Sequence, residues 1–249
     1  MRAPVLAANW KMNVGAREAA AFMRTFLARY EPHPDRTIVI FPPALSLCAV
    51  VDALRARPDV LVGVQNIYWE ASGAFTGENS APLARDAGAR LVLVGHSERR
   101  HVFGEADCDV ARKCAAAAAA SLTPVLCVGE TMEDRERGAT DDIVREQLRA
   151  GVQDLTHLQM ATMVVAYEPV WAIGTGHTAR PEDAAAVHAT IRTALRERLG
   201  SDAAQIPILY GGSVNEGNAA ALLDMGEVDG LLVGGASLDA ERWARIALT

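Results

Sequence analysis

Eight short apolar runs recur along the chain, each followed by a stretch with helical periodicity, and this alternation limits the fold more than any other feature. The runs are Val5–Asn9, Thr37–Phe41, Val60–Gln65, Arg90–Gly95, Val125–Gly129, Met163–Glu168, Ile208–Gly211 and Gly230–Gly234. They are rich in β-branched residues and nearly continuously apolar, the pattern of parallel strands covered on both faces. Between them lie Ala-, Arg-, Glu- and Leu-rich segments, predicted as helices over Ala16–Tyr30, Ala44–Arg55, Ala81–Ala87, Ala106–Ser121, Asp141–Leu155, Pro181–Leu199, Asn215–Leu223 and Leu238–Ala247. Pro181 with Glu182 and Asp183 marks one helix start, and Asn215 with Glu216 another. The hexa-alanine run Ala115–Ala120 reads as helix interior.

Strict strand–helix alternation gives a parallel sheet with right-handed crossovers. Eight repeats in 249 residues match a closed (β/α)8 barrel. An open doubly wound sheet is the runner-up, but Asn9-Trp10-Lys11 follows the first run where that fold would carry a Gly-rich fingerprint. No linker interrupts the alternation, so residues 1–249 are expected to form a single α/β barrel domain.

The net charge of −7 argues against nucleic acid as partner, because a phosphate backbone requires a basic face. A small anion must then be held by local dipoles and one or two placed cations. Lys11 and Lys113 are the only lysines among 24 basic residues, and a lysine kept at position 11 hints at a need for a compact point charge. The run Val5 to Ala8 is too short for a targeting segment, and no apolar stretch suits a membrane span. Four cysteines, Cys48, Cys108, Cys114 and Cys127, form no CxxC pair and no ligand cluster, which points to a reducing, cytoplasmic setting.

In such barrels the working face is the ring of loops at the carboxyl ends of the strands. Six of the eight ends are polar or Gly-rich: Asn9-Trp10-Lys11, Gly95-His96-Ser97-Glu98, Cys127-Val128-Gly129-Glu130, Tyr167-Glu168-Pro169, Gly211-Gly212-Ser213 and Gly234-Gly235-Ala236. Any one of them could be an ordinary loop residue or cap. Together they put a carboxylate, an imidazole and an ammonium around one mouth. The two glycine turns suit a phosphate, since bare main-chain N–H groups can approach an anion closely. Glu168, between an apolar run and Pro169, is expected to enter the mouth partly desolvated and act as a base. His96 opens a helical turn, where a positive imidazole is disfavoured, so a neutral hydrogen-bond donor is expected. His96 and Glu98 form an H-x-E pair, but a metal wants three convergent ligands and no other histidine lies at a strand end; no metal is expected. Residues 169–179 have an apolar centre between Pro169 and Gly174/Gly176, the composition of a lid, from which Gly174 could offer an N–H to the phosphate.

The motifs Ala8–Asn13, Gly73–Glu78, Gly95–Arg100, Ala166–Gly176, Tyr210–Val214 and Leu231–Leu238 resemble, in order and from end to end of the chain, those of the triosephosphate isomerase family. The resemblance implies cofactor-free interconversion of the triose phosphates dihydroxyacetone phosphate and D-glyceraldehyde 3-phosphate, a step of glycolysis and gluconeogenesis. It implies that Glu168 moves the carbon-bound proton, that His96 polarises the carbonyl, and that Lys11, with Asn9 beside it, supplies positive charge. Gly174, Ser213, Gly234 and Gly235 would hold the phosphate. Glu98 would pair with Lys11 in the open state, and Cys127 would be a packing thiol. The resemblance also implies a homodimer in which Gly73–Glu78 inserts into a partner pocket beside Asn9 and Lys11. Thr76 and a Glu78–Arg99 pair would then cross the interface, with Gln65 supporting that region. One departure is the lid hinge His177-Thr178-Ala179, where the family more often begins with lysine.

Two rival readings use the same barrel. A Schiff-base aldolase needs a lysine inside the barrel or at a late strand end, and Lys113 falls on a predicted helix. A non-catalytic phosphate-binding barrel would leave Glu168 and His96 idle.

Overall fold

Alternate residues of each strand face opposite ways, and in the computed structural model, which describes residues 3–173 and 179–249, both sets are buried. The strands are β1 (Val5–Asn9), β2 (Thr37–Phe41), β3 (Val60–Val64), β4 (Leu91–Val94), β5 (Thr123–Val128), β6 (Val164–Tyr167), β7 (Ile208–Tyr210) and β8 (Gly230–Val233). One set, including Val39, Phe41, Leu93, Val125 and Leu209, packs inside the ring. The other, including Leu6, Ile38, Ile40, Val92 and Val165, packs outward against the helices. Removing both faces from water is what required near-continuous apolar runs. Each large aliphatic side chain so buried contributes about 1.5–3 kcal/mol.

All eight strands are parallel and ordered as in the chain, and β8 pairs with β1 through Val5↔Gly230 to Ala8↔Val233, so the barrel closes. The helices are α1 (Ala16–Arg29), α2 (Leu47–Ala53), α3 (Ala81–Asp86), α4 (Ser97–His101), α5 (Asp107–Ala119), α6 (Met132–Glu136), α7 (Thr140–Gly151), α8 (His157–Met160), α9 (Pro181–Leu199), α10 (Ala219–Leu223) and α11 (Ala240–Ala247). The run Ala115–Ala120, expected as helix interior, is instead the C-terminal end of α5 with Ala120 as its C-cap, and the helix buries Cys114 and Ala117. In α9, Pro181 occupies the first turn with Glu182 and Asp183, Arg196 and Arg198 lie in the last, and Gly200 follows at φ 56°. Each of these choices matches the helix dipole or the backbone demand of its end.

Three helix starts differ from the sequence expectation: after β2, Ala44–Ser46 is a turn of 3-10 helix and α2 begins at Leu47, and two more follow β7 and β8. Asn215 does not open a helix. Its side chain accepts from the Gly217 N–H at 2.8 Å, Asn218 Oδ1 accepts from the Asn215 N–H at 2.8 Å, and α10 begins only at Ala219. Asparagine here serves the turn in place of the helix. After β8, Gly235–Leu238 is one turn of 3-10 helix, and Asp239 caps α11 by accepting from the Arg242 N–H at 2.8 Å. Three short helices, α4, α6 and α8, punctuate the loops around β4, β5 and β6. No helix among the described residues is long and apolar enough to cross a membrane.

Candidate active site

The carboxyl ends of β1, β4, β6, β7 and β8 surround a cavity of about 450 Å³ lined by Asn9, Lys11, His96, Glu168, Gly211 and Gly234 among others. Glu168 is the first residue past β6 and is almost fully buried, at 2% exposure. Its Oε2 accepts from the Ser97 N–H at 2.8 Å and its Oε1 lies 3.1 Å from His96 Nε2. Space for this side chain comes from Gly211, where a Cβ would stand 2.9 Å from Glu168 Cγ. Any larger residue at the end of β7 would push the carboxylate out of place.

His96 caps α4. Its Nδ1 accepts the Glu98 N–H at 3.2 Å, so that nitrogen carries no proton, and the ring is the neutral tautomer with its proton on Nε2. Gly95, at φ 71°, supplies the left-handed turn that aims the imidazole into the mouth. Asn9 Nδ2 lies 3.2 Å from the same Nε2. The orientation of the Asn9 amide is set by its oxygen, which accepts from the Lys11 N–H at 3.0 Å and from Gln65 Nε2 at 3.3 Å. Two N–H donors therefore converge on one point at the mouth and cannot satisfy each other.

Lys11 adopts φ 51°, a left-handed conformation that costs about 1–3 kcal/mol in a residue with a side chain. Gln65 helps hold it there, donating to the Lys11 carbonyl at 2.8 Å and to the Phe41 carbonyl at 2.9 Å. The ammonium reaches Glu98 Oε1 at 2.7 Å, the pairing expected of these two residues. Gly234 lies directly beside it, since a Cβ at 234 would be 3.3 Å from Lys11 Cε. The Gly234–Gly235 turn thus brings bare backbone next to the cation. Ser213 reaches the same cavity, but its hydroxyl donates to the Ala172 carbonyl in the segment that follows Pro169.

That segment begins with a turn of 3-10 helix, Val170–Ala172. Trp171 Nε1 donates to Glu130 Oε1 at 2.8 Å, and the Arg135 guanidinium stacks 4.5 Å over the Trp171 ring. Glu130 is wholly buried and also receives the Tyr167 hydroxyl at 3.1 Å, which, with burial as the larger cause, raises the Tyr167 phenol far above its ordinary range. The expectations for Gly174 and His177 lie outside the described residues.

Cys127 points into the barrel and is buried, its thiol pushed well above the ordinary value first by burial and then by the Glu168 charge. Such a thiol packs and does not ionise. Cys114 is also buried, while Cys48 and Cys108 are exposed, and all four are free. On the flank beside Lys11, a second recess of about 170 Å³ is lined by Met12, Gln65, Glu98, Arg99 and Phe103. Arg99 pairs with Glu105 at 3.0 Å and stacks on Phe103, while Thr76 and Glu78 stand exposed on their loop. Lys113 sits on α5, buried against Glu105 and 2.8 Å from Asn66, outside the barrel.

Two contacts at these strand ends had no sequence signal: the bond from the Gln65 amide to the Lys11 carbonyl, where the sequence expectation for Gln65 concerned an interface, and the bonds of the Gln147 amide to Gly129. A mid-helix glutamine reads as solvent-facing polarity. Glu130 did stand at a strand end, but its aromatic partners come from β6 and the loop beyond.

Comparison with known proteins agrees with this geometry. The triosephosphate isomerase family profile matches residues 4–249. The chain is similar to the triosephosphate isomerases of Solibacter usitatus (48% identical, covering 99% of both chains) and Chloroflexus aurantiacus (49% identical, covering 99% of this chain and 98% of that one). Among solved structures it superposes on the triosephosphate isomerase of Bartonella henselae with a TM-score of 0.88, at 38% identity over 98% of each chain.

Proposed function

The chain belongs to the triosephosphate isomerase family, and on that premise we propose how its residues interconvert dihydroxyacetone phosphate and D-glyceraldehyde 3-phosphate. The observation that carries the reading is the placement of Glu168, buried at 3.1 Å from His96 Nε2 in one cavity with Lys11 and the Gly234–Gly235 turn. This family is itself the reference case for a glutamate base beside a neutral imidazole.

The substrate phosphate binds the N–H groups of Ser213, Gly234 and Gly235, together with Gly174 of the lid; neutral amides can hold a dianion in an acidic protein. The carbonyl oxygen sits where His96 Nε2–H and Asn9 Nδ2–H converge. On taking the imidazole proton as its donor, it deprives Glu168 Oε1 of that contact and leaves the carboxylate free to act. Glu168 removes the proton from the carbon next to the carbonyl and later returns it to the neighbouring carbon. His96 passes protons between the two enediolate oxygens. Lys11 stabilises the developing negative charge on oxygen, a contribution that is large in a water-poor site. Closure of the lid, which carries Ile173, over the bound substrate keeps the enediolate from losing phosphate. Glu98 holds the Lys11 ammonium in register between turnovers, and Cys127 packs beneath the mouth.

The reading is of a homodimer formed from single-domain chains of residues 1–249. It is supported by the exposure of large apolar side chains near the second recess: Met12, Val102 and Phe103 at 95%, 73% and 67%, and Phe75 on the Gly73–Glu78 loop. Patches of this kind on one flank mark an interface. Thr76 would enter the recess of the partner near Gln65, and Glu78 would meet Arg99 across the interface. Four free thiols support a cytoplasmic enzyme.

The test is a coupled isomerase assay on Glu168→Asp. Shortening the base by one methylene should lower kcat by about 10²-fold or more while KM stays within a few-fold. Unchanged turnover would remove Glu168 from the mechanism.

A further inference from the structure

Gln147 lies mid-way along α7, a helix whose exposed side is otherwise charged, yet its side chain turns to the barrel. Its Oε1 accepts the Gly129 N–H at 2.7 Å, and its Nε2 donates to the Gly129 carbonyl at 3.2 Å. One side-chain amide thus takes both main-chain groups of a buried residue, as a neighbouring strand would. The β5–β6 ladder ends at Val128↔Tyr167, one residue earlier. Among the described residues no main-chain hydrogen bond serves Gly129. Gln147 extends the sheet by one position where the strands have run out.

That position touches the base. A Cβ at Gly129 would stand 1.8 Å from the Glu168 carbonyl oxygen and 2.7 Å from its carbonyl carbon, so the two main chains are in direct contact. The Glu168 N–H donates to the Val128 carbonyl at 2.8 Å, fixing the same junction from the other side. Glu168 has no helix or ladder partner of its own on β5 beyond that bond. Where Gly129 lies therefore decides where the Glu168 main chain lies, and with it the carboxylate 3.1 Å from His96. A glutamine that merely satisfied a loop would need only one of its two bonds. The paired geometry fixes both the position and the tilt of the Gly129 peptide groups.

We propose that Gln147 is a positioning residue for the isomerisation: by clamping both main-chain groups of Gly129 it sets the surface on which Glu168 rests. This inference depends on the reading of Glu168 as the base. A shift of about 1 Å at a reacting group can cost about 10²-fold in rate, so an effect on kcat is expected from a residue that never meets substrate.

The experiment compares Gln147→Leu with the parent chain in the isomerase assay, alone and combined with Glu168→Ala. The expected result for Gln147→Leu is a fall in kcat of about 10- to 100-fold with KM changed by less than about threefold, because the phosphate contacts lie across the mouth. Added to Glu168→Ala, the same substitution should change the residual rate by less than about twofold, there being no base left to place. A normal kcat with lowered thermal stability would reduce Gln147 to a structural role and overturn the proposal, as would an equal proportional loss in both backgrounds. Wild-type turnover in Glu168→Ala alone would instead overturn the base assignment, a separate failure. If Gln147→Leu does not fold, Gln147→Glu serves. Its carboxylate still accepts the Gly129 N–H but repels the Gly129 carbonyl until it is protonated. Its kcat relative to the parent should therefore climb as pH is lowered from about 8 to about 5, and a flat ratio would overturn the proposal.

Discussion

At the scale of single residues, the site is governed by what each polar group is denied. Burial leaves Glu168 with the Ser97 N–H and the imidazole as its partners, and His96 can receive only the Glu98 amide on one side. The proton on Nε2 is therefore a consequence of main-chain geometry. Lys11 shows the converse: a strained main chain at φ 51° is kept because it throws an ammonium beside Gly234. Lys11→Met keeps the stem and deletes the charge, so it should lower kcat and raise KM together. Steady-state kinetics should show kcat/KM down by at least about 10²-fold. A variant with KM alone altered would mean that the cation binds phosphate and plays no part in stabilising the oxyanion.

Helix α9 illustrates how one element joins several strands. Its Arg192 is buried, donates to the Ala203 and Ile206 carbonyls at 2.6 Å, and pairs with Asp229 just before β8. One turn away, His188 is fully buried against Tyr167 and Tyr210, with Nδ1 2.9 Å from the Glu227 carbonyl. Burial first, and the Arg192 charge as a lesser cause, lower its pKa from 6.5 to about 4, against the opposing hydrogen bond to Glu227. The unfolded chain takes up this proton near 6.5 and the native chain only near 4. Stability from His188 is thus intact above pH 6.5, is lost as pH falls toward 4, and suffers no further loss below that. The loss amounts to about 3 kcal/mol. Urea midpoints measured across that window should fall less steeply for His188→Leu than for the parent, although the variant starts lower because the Glu227 carbonyl loses its donor. Parallel curves would show that another group sets the acid sensitivity.

For the whole molecule, closure of β8 onto β1 removes both sheet edges, and Met12 and Phe103, with Val102 next to them in the chain, expose large apolar side chains at the recess beside Lys11. Met12 and Phe103 line the recess together with Lys11 and Gln65, so the homodimer proposed above would place its interface against residues of the site. Thr76→Arg places a charge where the partner's recess would receive a small hydroxyl. Sedimentation should then show a shift from dimer to monomer, with kcat falling as the support of Lys11 is lost. A dimer of normal activity would mean that the loop is not the interface.

Seven strands were legible to within a residue at either end because a strand buried on both faces must be apolar throughout, whereas β5 opens two residues before the expected Val125, at Thr123 and Pro124, which pair with β4. Strand ends such as Glu168, His96 and Lys11 stood out for the same reason, as polar residues closing apolar runs. Helix starts after β7 and β8 were misjudged, since Asn215 can cap a helix or build a turn and only its neighbours in space decide. A neutral, donating His96 was expected from its place at a helix start, but which nitrogen carries the proton, the bond from Gln65 to the Lys11 carbonyl and the hold of Gln147 on Gly129 were not readable. Glu168 meets Ser97 across 71 residues of chain and Gln65 meets Lys11 across 54. Composition and periodicity reach over one turn or one strand, whereas these contacts exist only once the barrel has closed and brought distant strand ends to a single mouth.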